Sequence, residues 1–231
     1  MLRLDALQII QGDFSLTADL AIPTGGTVGI IGPSGAGKST LLAVIAGFIQ
    51  PTAGRVLWQD SDLGPLAPGR RPLSMLFQDQ NLFPHLSVAQ NLGLGLRPDL
   101  RLGPDEQAQV AAALARVGLA DMAARAPGSL SGGQQSRVAL ARALLRARPV
   151  LLLDEPFAAL GPALKAEMLD LVAEIAGENG TTVLMVTHDP SDARRIAAQT
   201  VLVAEGLAHA PQPTAVLLDN PPPALAAYLG Q

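Results

Sequence analysis

Eight consecutive residues near the N-terminus have the spacing of a phosphate-binding loop. Residues 32–39 fit the pattern G-x-x-x-x-G-K-[ST] at every fixed position. An apolar run before them predicts a buried strand, and the residues after Lys38 predict a helix. Glycines let backbone N–H groups face a phosphate, and a helix N-terminus adds partial positive charge. The residues predicted to hold a nucleoside triphosphate are Gly32, Pro33, Ser34, Gly35, Ala36, Gly37, Lys38, Ser39 and Thr40.

Within and beyond this loop, four side chains have the chemistry needed for magnesium-assisted phosphate cleavage. Lys38 is expected to reach the β- and γ-phosphates, and the Ser39 hydroxyl to coordinate Mg²⁺. Asp154 and Glu155 end an apolar run over 150–153. Asp154 is predicted to hold the same Mg²⁺, and Glu155 to orient or deprotonate an attacking water. Alone, such an acidic pair is often only a strand exit, but the preceding phosphate loop favours the catalytic interpretation.

A second possible anion site lies in the middle of the chain. Residues 131–134 precede and open a predicted helix, so their backbone N–H groups could face a phosphate. Considered in isolation, Ser131 could equally be an ordinary helix cap followed by flexible glycines. The residues of this candidate site are Ser131, Gly132, Gly133 and Gln134.

The elements that would position these residues fall into three blocks. The first block contains predicted strands over 2–10, 14–22, 27–31, 54–58 and 73–78. Residues from about 81 to 148 are predicted to be helical, with a capping box from Ser87 to Gln90. From residue 149 strands and helices alternate, with strands over 150–153 and 181–186 and a helix beginning at Pro162. This alternation predicts an α/β fold with a parallel sheet, and prolines 221–223 lead into a short closing helix.

Composition narrows the class of protein further. The chain has 231 residues, of which 48% are hydrophobic and 16% charged, which predicts a well-filled core. It contains no cysteine, so disulfides and thiolate metal sites are excluded. The net charge of −4 argues against a surface that coats nucleic acid. No run approaches roughly 18 apolar residues, and Asp5 interrupts any signal-peptide core, so we expect neither a membrane span nor a secretory leader.

These motifs, taken together and in order, resemble the ATP-binding-cassette (ABC) ATPases. The resemblance covers the chain from its first strand to beyond His188, and LSGGQ at 130–134 matches that family's signature sequence. It implies one cassette over residues 1–231: a phosphate-loop NTPase core with an antiparallel β subdomain (1–80 and 149–231), and a helical subdomain at about 81–148. By the same resemblance, Gln78 approaches Mg²⁺ and senses the γ-phosphate, and His188 contacts the γ-phosphate.

The resemblance also implies partners. Two copies of such a cassette form a head-to-tail homodimer, in which Ser131 of one copy caps the γ-phosphate held by the other. A cassette without membrane helices docks on transmembrane permease subunits at the cytoplasmic face of the bacterial inner membrane. Residues 71–96 look like the ATP-binding subunits of bacterial thiamine importers, which work indirectly with a periplasmic solute-binding protein. An importer ATPase for another solute, or a soluble nucleic-acid-associated ABC ATPase, are the alternatives.

Some positions depart from the family pattern, and others are predicted to have no part in the site. Gly161 stands where the family usually has Asp, so weaker coupling between the two ATP sites is expected. The region that normally supplies an aromatic residue for adenine holds Ile9 and Ile10, and Phe14 is expected to be core. The doublets at 70–71 and 194–195 are predicted to be solvated faces, and His85 and His209 to be ordinary residues.

Overall fold

The computed structural model describes residues 1–77, 79, 81–158 and 160–230. Gln78, one of the predicted catalytic and metal-binding residues, lies outside the described residues, so its predicted role stays a prediction.

Strands and helices alternate along most of the chain. The strands are β1 (Leu2–Gln11), β2 (Phe14–Ile22), β3 (Gly26–Ile31), β4 (Ala53–Trp58), β5 (Ser61–Asp62), β6 (Leu73–Leu76), β7 (Val150–Asp154), β8 (Thr182–Val186), β9 (Gln199–Ala204), β10 (Leu207–Ala208) and β11 (Gln212–Pro213). The helices are α1 (Lys38–Ala46), α2 (Val88–Gly93), α3 (Pro104–Arg116), α4 (Gly132–Leu145), α5 (Pro162–Asn179), α6 (Pro190–Ile196), α7 (Thr214–Asp219) and α8 (Pro223–Leu229). Short 3₁₀ turns lie at Pro68–Arg70, Ala120–Met122 and Pro127–Ser129.

The sheet has a parallel half and an antiparallel half. The strand order is β5-β4-β1-β2-β10-β9-β3-β8-β7-β6, with β11 paired to β9. Strands β9, β3, β8, β7 and β6 run parallel, whereas β1 pairs antiparallel with β2 and β4. The predicted α/β phosphate-loop NTPase fold with an N-terminal antiparallel subdomain is therefore confirmed.

The register of three parallel strands brings distant parts of the chain to one edge. Val186 of β8 lies opposite both Ile30 of β3 and Asp154 of β7. The backbone N–H of Glu155 donates to the Val186 carbonyl (3.1 Å), and that of Thr187 donates to the Ile30 carbonyl (3.2 Å). The loops that leave these strands at their carboxyl ends therefore begin side by side.

Helices α2, α3 and α4 pack around an apolar cluster of their own. Buried Val88 and Leu92 of α2 meet Val110 and Leu114 of α3 and Val138 of α4. The predicted capping box at the start of α2 is present, because the side chains of Ser87 and Gln90 bond each other's backbone N–H groups. The buried residues of this cluster lie within the segment 81–148 that is predicted to form a helical subdomain, and the bounds of that subdomain stay a prediction.

Most predicted strands are present with small changes at their ends, and β9 was missed. The predicted strand over 73–78 ends at Leu76. Strand β9 is buried along nearly its whole length, and its sequence lacks both the alternation and the nearby motif that marked the others. Within the described part of the chain, no helix combines the length and apolarity that crossing a bilayer requires.

The prediction that Arg71 belongs to a solvated face is wrong. Its side chain is 1% exposed, and its guanidinium donates to the carbonyls of Val44 (2.9 Å) and Ile45 (2.7 Å) at the end of α1 and of Leu66 (3.2 Å). Burial lowers the pKa of Arg71, and nearby Asp62 partly opposes this shift. Arg71 thus caps the carboxyl end of the helix that follows the phosphate loop. Arg70 is exposed as predicted.

A partly buried ion network lies at the segment after β8. The ammonium of Lys165 on α5 contacts carboxylate oxygens of Asp189 (2.5 Å) and Asp192 (2.7 Å). The Thr187 hydroxyl also donates to Asp192 (2.7 Å). Burial would raise the pKa of Asp189, but the hydrogen bonds from Lys165 and Ser191 outweigh it and lower this pKa to about 2. Helix α5 is therefore tied to the segment 187–192.

The Arg71 cap predicts a large loss of stability in Arg71→Met. This variant removes the Arg71 donor from three backbone carbonyls, of which Val44 keeps a bond from the Gly47 N–H (3.0 Å), and we expect it to cost about 3 kcal/mol of unfolding free energy. Urea unfolding measures the change. The matched control is Arg70→Met, an exposed neighbour, which should change the unfolding free energy by less than about 0.5 kcal/mol. Equal effects of the two substitutions would contradict the assigned role.

The Lys165 network predicts a pH-dependent loss of stability in Lys165→Met. Because the pKa of Asp189 is lower in the folded chain than in the unfolded chain, the stabilisation is present above about pH 4 and disappears as the pH falls through about 2. Since the Asp189 side chain is 34% exposed, solvent screening reduces the expected contribution to about 1 kcal/mol.

Urea unfolding of wild type and variant from pH 7 down to pH 2.5 checks this prediction. The difference in unfolding free energy should shrink as the pH falls. Arg195→Met removes an exposed pair with Asp170 and serves as the control, with a smaller effect at pH 7. A difference that is independent of pH would contradict the coupling of Lys165 to Asp189.

Candidate nucleotide-binding site

The phosphate loop follows β3 directly, and two of its glycines are required by their surroundings. Gly32 has φ +151°, and a Cβ there would lie 1.9 Å from the Val203 carbonyl oxygen. Gly37 has φ +98°, and a Cβ there would lie 2.5 Å from the Phe14 ring. Only a residue without a side chain fits either position, so the loop keeps its backbone close to its neighbours.

Lys38 is folded back onto its own loop. Its ammonium donates to the carbonyls of Gly32 (2.9 Å) and Pro33 (2.8 Å). Burial lowers the pKa of Lys38, whereas the charges of Glu155 and Asp154 oppose this shift. A cation held inside the loop in this way is available to an anion that enters it.

Ser39 and Asp154 meet across the sheet edge although 115 positions separate them. The Ser39 hydroxyl donates to a carboxylate oxygen of Asp154 at 2.9 Å. Burial raises the pKa of Asp154 and neighbouring Glu155 adds to this, while the Ser39 hydrogen bond and the Lys38 charge act in the opposite direction. The two oxygens are close enough to share one cation, and both are ligand types that Mg²⁺ prefers.

Glu155 and His188 form a second pair beside the first. Nδ1 of His188 lies 3.2 Å from a carboxylate oxygen of Glu155, and their side chains are 57% and 25% exposed. Glu155 adopts φ +45°, which is unusual for a residue with a side chain. Among the described residues, seven other non-glycine residues also have a positive φ, and Glu155 is the one of the eight that lines the cavity formed with the phosphate loop. The geometry gives a carboxylate that can accept a proton from a water, with an imidazole within reach.

These residues line one open cavity of about 630 Å³. Phosphate-loop residues form one side, and Glu155 and His188 form another. The described residues that line it are Gln11, Phe14, Ser34, Gly35, Gly37, Lys38, Ser39, Thr40, Glu155, His188 and Tyr228. The prediction that Phe14 is core is incomplete, because Phe14 packs partly against the main apolar cluster and also faces this cavity.

Sequence reasoning missed two lining residues altogether, Gln11 and Tyr228. Gln11 ends β1, and only its pairing with Phe14 across the β1–β2 turn brings it to the loop. Tyr228 lies on α8, and its hydroxyl donates to the His188 backbone carbonyl at 2.8 Å. No spacing in the sequence signals either residue, because both reach the site through tertiary packing.

The predicted second anion site lies elsewhere on the chain. Ser131 caps α4, where its hydroxyl accepts from the Gln134 N–H (3.3 Å) and its own N–H donates to the Gln134 side chain (2.9 Å). Gly132 is the first residue of α4, and a Cβ at Gly133 would lie 2.6 Å from Leu164 of α5. The two predicted anion sites are therefore not joined into one cavity within a single copy of the described chain.

Gly161 has a backbone conformation that any residue can adopt. It is the residue before α5, with φ −65° and ψ 156°, and a Cβ there would meet no atom within 4 Å. Any residue, including the Asp that the family usually carries, fits this backbone. The unusual feature of this position is therefore the missing carboxylate, and the conformation is ordinary.

Known proteins similar to this chain match all or nearly all of its length. A ThiQ thiamine import ATP-binding protein from Cereibacter sphaeroides is 67% identical over 230 residues and 100% of both chains. The protein of the same name from Ruegeria sp. is 62% identical over 100% of both chains, and one from Yersinia pestis is 48% identical over 95% of this chain and 93% of its own.

Solved structures and family models agree with these relatives. The dimeric structure of MJ0796, a bacterial ABC transporter cassette, superposes with a TM-score of 0.81 at 30% identity, over 93% of this chain and 99% of that one. A second structure of MJ0796, a post-hydrolysis state bound to ADP and Pi, matches equally well. Residues 16–158 match the model of the ABC transporter family. This chain belongs to the ABC transporter family.

Proposed function

We propose that this chain is the ATP-hydrolysing subunit of a bacterial importer for thiamine or its phosphates. One observation carries the chemistry: Lys38, Ser39, Glu155 and His188 line a single cavity, and Asp154 joins it through Ser39. The cargo rests on the relatives, which share up to 67% of their residues with this chain and are thiamine import ATP-binding proteins. Cargo recognition itself belongs to other subunits of such an importer.

The residues present fit ATP and Mg²⁺. The triphosphate is placed on the loop 32–40, where Lys38 exchanges its carbonyl partners for phosphate oxygens. Ser39 and Asp154 would hold Mg²⁺, and Gln78 would join them in the role that the family gives it. The ion supplies charge neutralisation on the phosphates. Phe14 and Gln11 lie at the opening beside Gly37, where they are placed to contact the base.

Glu155 then acts on the attacking water. Its carboxylate accepts a proton from the water as the water attacks the γ-phosphate, and the imidazole of His188 orients the carboxylate and the departing phosphate. The strained backbone of Glu155 fixes the direction from which the carboxylate acts. The protein contributes mainly position and charge, as is general for phosphoryl transfer.

A second copy of the chain completes the site. Ser131, Gly132, Gly133 and Gln134 lie at the start of α4 away from the cavity, where the Ser131 hydroxyl and the N-terminus of the helix would meet a nucleotide held by a partner copy. ATP would then join the two copies, and its hydrolysis would separate them. The dimeric MJ0796 cassette supports this arrangement.

The dimer would work on permease subunits at the cytoplasmic face of the inner membrane. Next to Phe83, a groove of about 270 Å³ runs between the sheet edge and α4 and includes Phe77 and Leu94. Phe83 is 45% exposed, which suits contact with a permease helix. A periplasmic solute-binding protein would deliver the cargo to the permease from the other side. The relatives, which are thiamine import ATP-binding proteins, favour thiamine over another solute and an importer over a nucleic-acid-associated ATPase.

Glu155→Gln tests the catalytic assignment. Removing the proton acceptor while keeping the shape should lower ATP turnover by roughly two to three orders of magnitude and leave ATP affinity nearly unchanged. Phosphate release and nucleotide binding of the purified full chain measure the two effects. His85→Gln, an exposed histidine outside the cavity, is the control and should hydrolyse ATP normally. Turnover near that of wild type would overturn the role of Glu155.

Ser131→Arg in the Glu155→Gln background tests the trans arrangement. Glu155→Gln alone should dimerise on addition of ATP, as measured by light scattering. The added Arg blocks the start of α4 and should abolish the dimer, while ATP affinity falls less than about tenfold because the phosphate loop is untouched. Ser129→Arg, on an exposed turn outside the signature, is the control. A dimer that persists with Arg at position 131 would contradict the proposal.

A further inference from the structure

The backbone segment that carries His188 is held from two sides. On one side, Lys165 of α5 binds Asp189, and Asp189 also accepts from the Ser191 N–H (2.9 Å). On the other side, the Tyr228 hydroxyl donates to the carbonyl of His188 itself (2.8 Å). The first contact holds the side of the segment that faces α5 and α6. The second contact, from the C-terminal helix α8, holds the His188 carbonyl.

Helix α8 is anchored by the packing of its apolar side chains. Leu225 of α8 is fully buried in a cluster with Ile31, Ala193 and Leu202, and Tyr228 packs against the same cluster. Pro222 and Pro223 begin the helix, which fixes its entry direction. Ile31 is the last residue before the phosphate loop. Tyr228 therefore contacts His188 from a helix that packs against the end of β3, the strand that leads into the phosphate loop.

The hydroxyl of Tyr228 is a stable donor. Burial raises its pKa, and the negative charges of Glu155 and Asp189 raise it further, so it stays protonated at neutral pH. The acceptor is a backbone carbonyl, which is uncharged throughout this range. The contact consequently persists through any change of charge on the His188 imidazole.

We propose that Tyr228 is a positioning residue, which holds the His188 peptide so that the imidazole stays beside Glu155. The inference rests on the proposed function, because it assigns the C-terminal helix a part in the same hydrolytic site. Tyr228 acts through His188: without its hydroxyl, the peptide that joins His188 to Asp189 keeps the bond from its N–H to the Thr187 hydroxyl (3.0 Å) but loses the bond to its carbonyl. The peptide is then held less firmly, and the imidazole is beside Glu155 for a smaller fraction of the time. Family model matches end at residue 158, so this contribution lies outside the matched segment.

Tyr228→Phe is the direct test, since it removes one oxygen and keeps the packed ring. The loss of one hydrogen bond should lower kcat for ATP about three- to tenfold. KM for ATP should stay within about twofold, because the phosphate loop and Mg²⁺ ligands are untouched. Thr17→Val is the matched control, since it removes a hydroxyl that donates to the Gly206 carbonyl away from the site, and should leave both constants unchanged. A kcat equal to that of wild type, or an effect on KM alone, would overturn the inference.

A double-mutant cycle separates positioning from general stability. In His188→Ala the backbone carbonyl remains but the imidazole is gone, so adding Tyr228→Phe should cause no further loss in single-turnover hydrolysis. A further three- to tenfold loss would show that Tyr228 acts by another route and would overturn the inference.

Hydrogen–deuterium exchange provides a readout independent of hydrolysis. In the nucleotide-free full chain, the amides of 187–189 should exchange faster in Tyr228→Phe than in wild type. In the control Thr17→Val, the same amides should exchange at the wild-type rate. Unchanged exchange in this segment would count against the inference. If wild type itself failed to hydrolyse ATP, the proposed function would fall, whereas the exchange experiment would still decide whether Tyr228 holds His188.

Discussion

The register of β3, β8 and β7 is the constraint on which the rest of the structure depends. Because Val186 lies opposite both Ile30 and Asp154, the phosphate loop, the acidic pair and His188 all begin at the same sheet edge. A slip of one residue in β8 would turn its side chains to the other face and separate these groups. The strands are buried on both faces, which fixes the register through packing on each side.

The sequence predicts those parts of the site that are set by local chemistry. The phosphate loop has its glycines where the backbone needs them, and Asp154 ends a strand whose apolar run predicts it clearly. The strand ends of the antiparallel block could also be predicted, because Gly and Asp punctuate them. Ser39 and Asp154 were assigned one ion from motif order alone, and the structure places their oxygens in contact.

The parts that could not be predicted depend on packing between distant elements. Arg71 has the sequence of an exposed doublet, yet it is buried because the end of α1 offers carbonyls that need a donor. Tyr228 reaches His188 only because α8 folds back onto the end of β3. Strand β9 has a continuous apolar run like those of β7 and β8, but no motif beside it marks it as part of the site. The neighbouring residues in the sequence do not indicate these contacts, because each contact depends on an element that is distant in the chain.

The left-handed backbone conformation of Glu155 lowers the stability of the folded chain. A left-handed conformation at a residue with a side chain costs on the order of 1 kcal/mol, and glycine would relieve it. Selection for thermal robustness alone would therefore favour loss of the carboxylate at this position. Under the role proposed above for Glu155, activity and thermostability are in opposition within a single residue, which makes position 155 a poor target for stabilising substitutions.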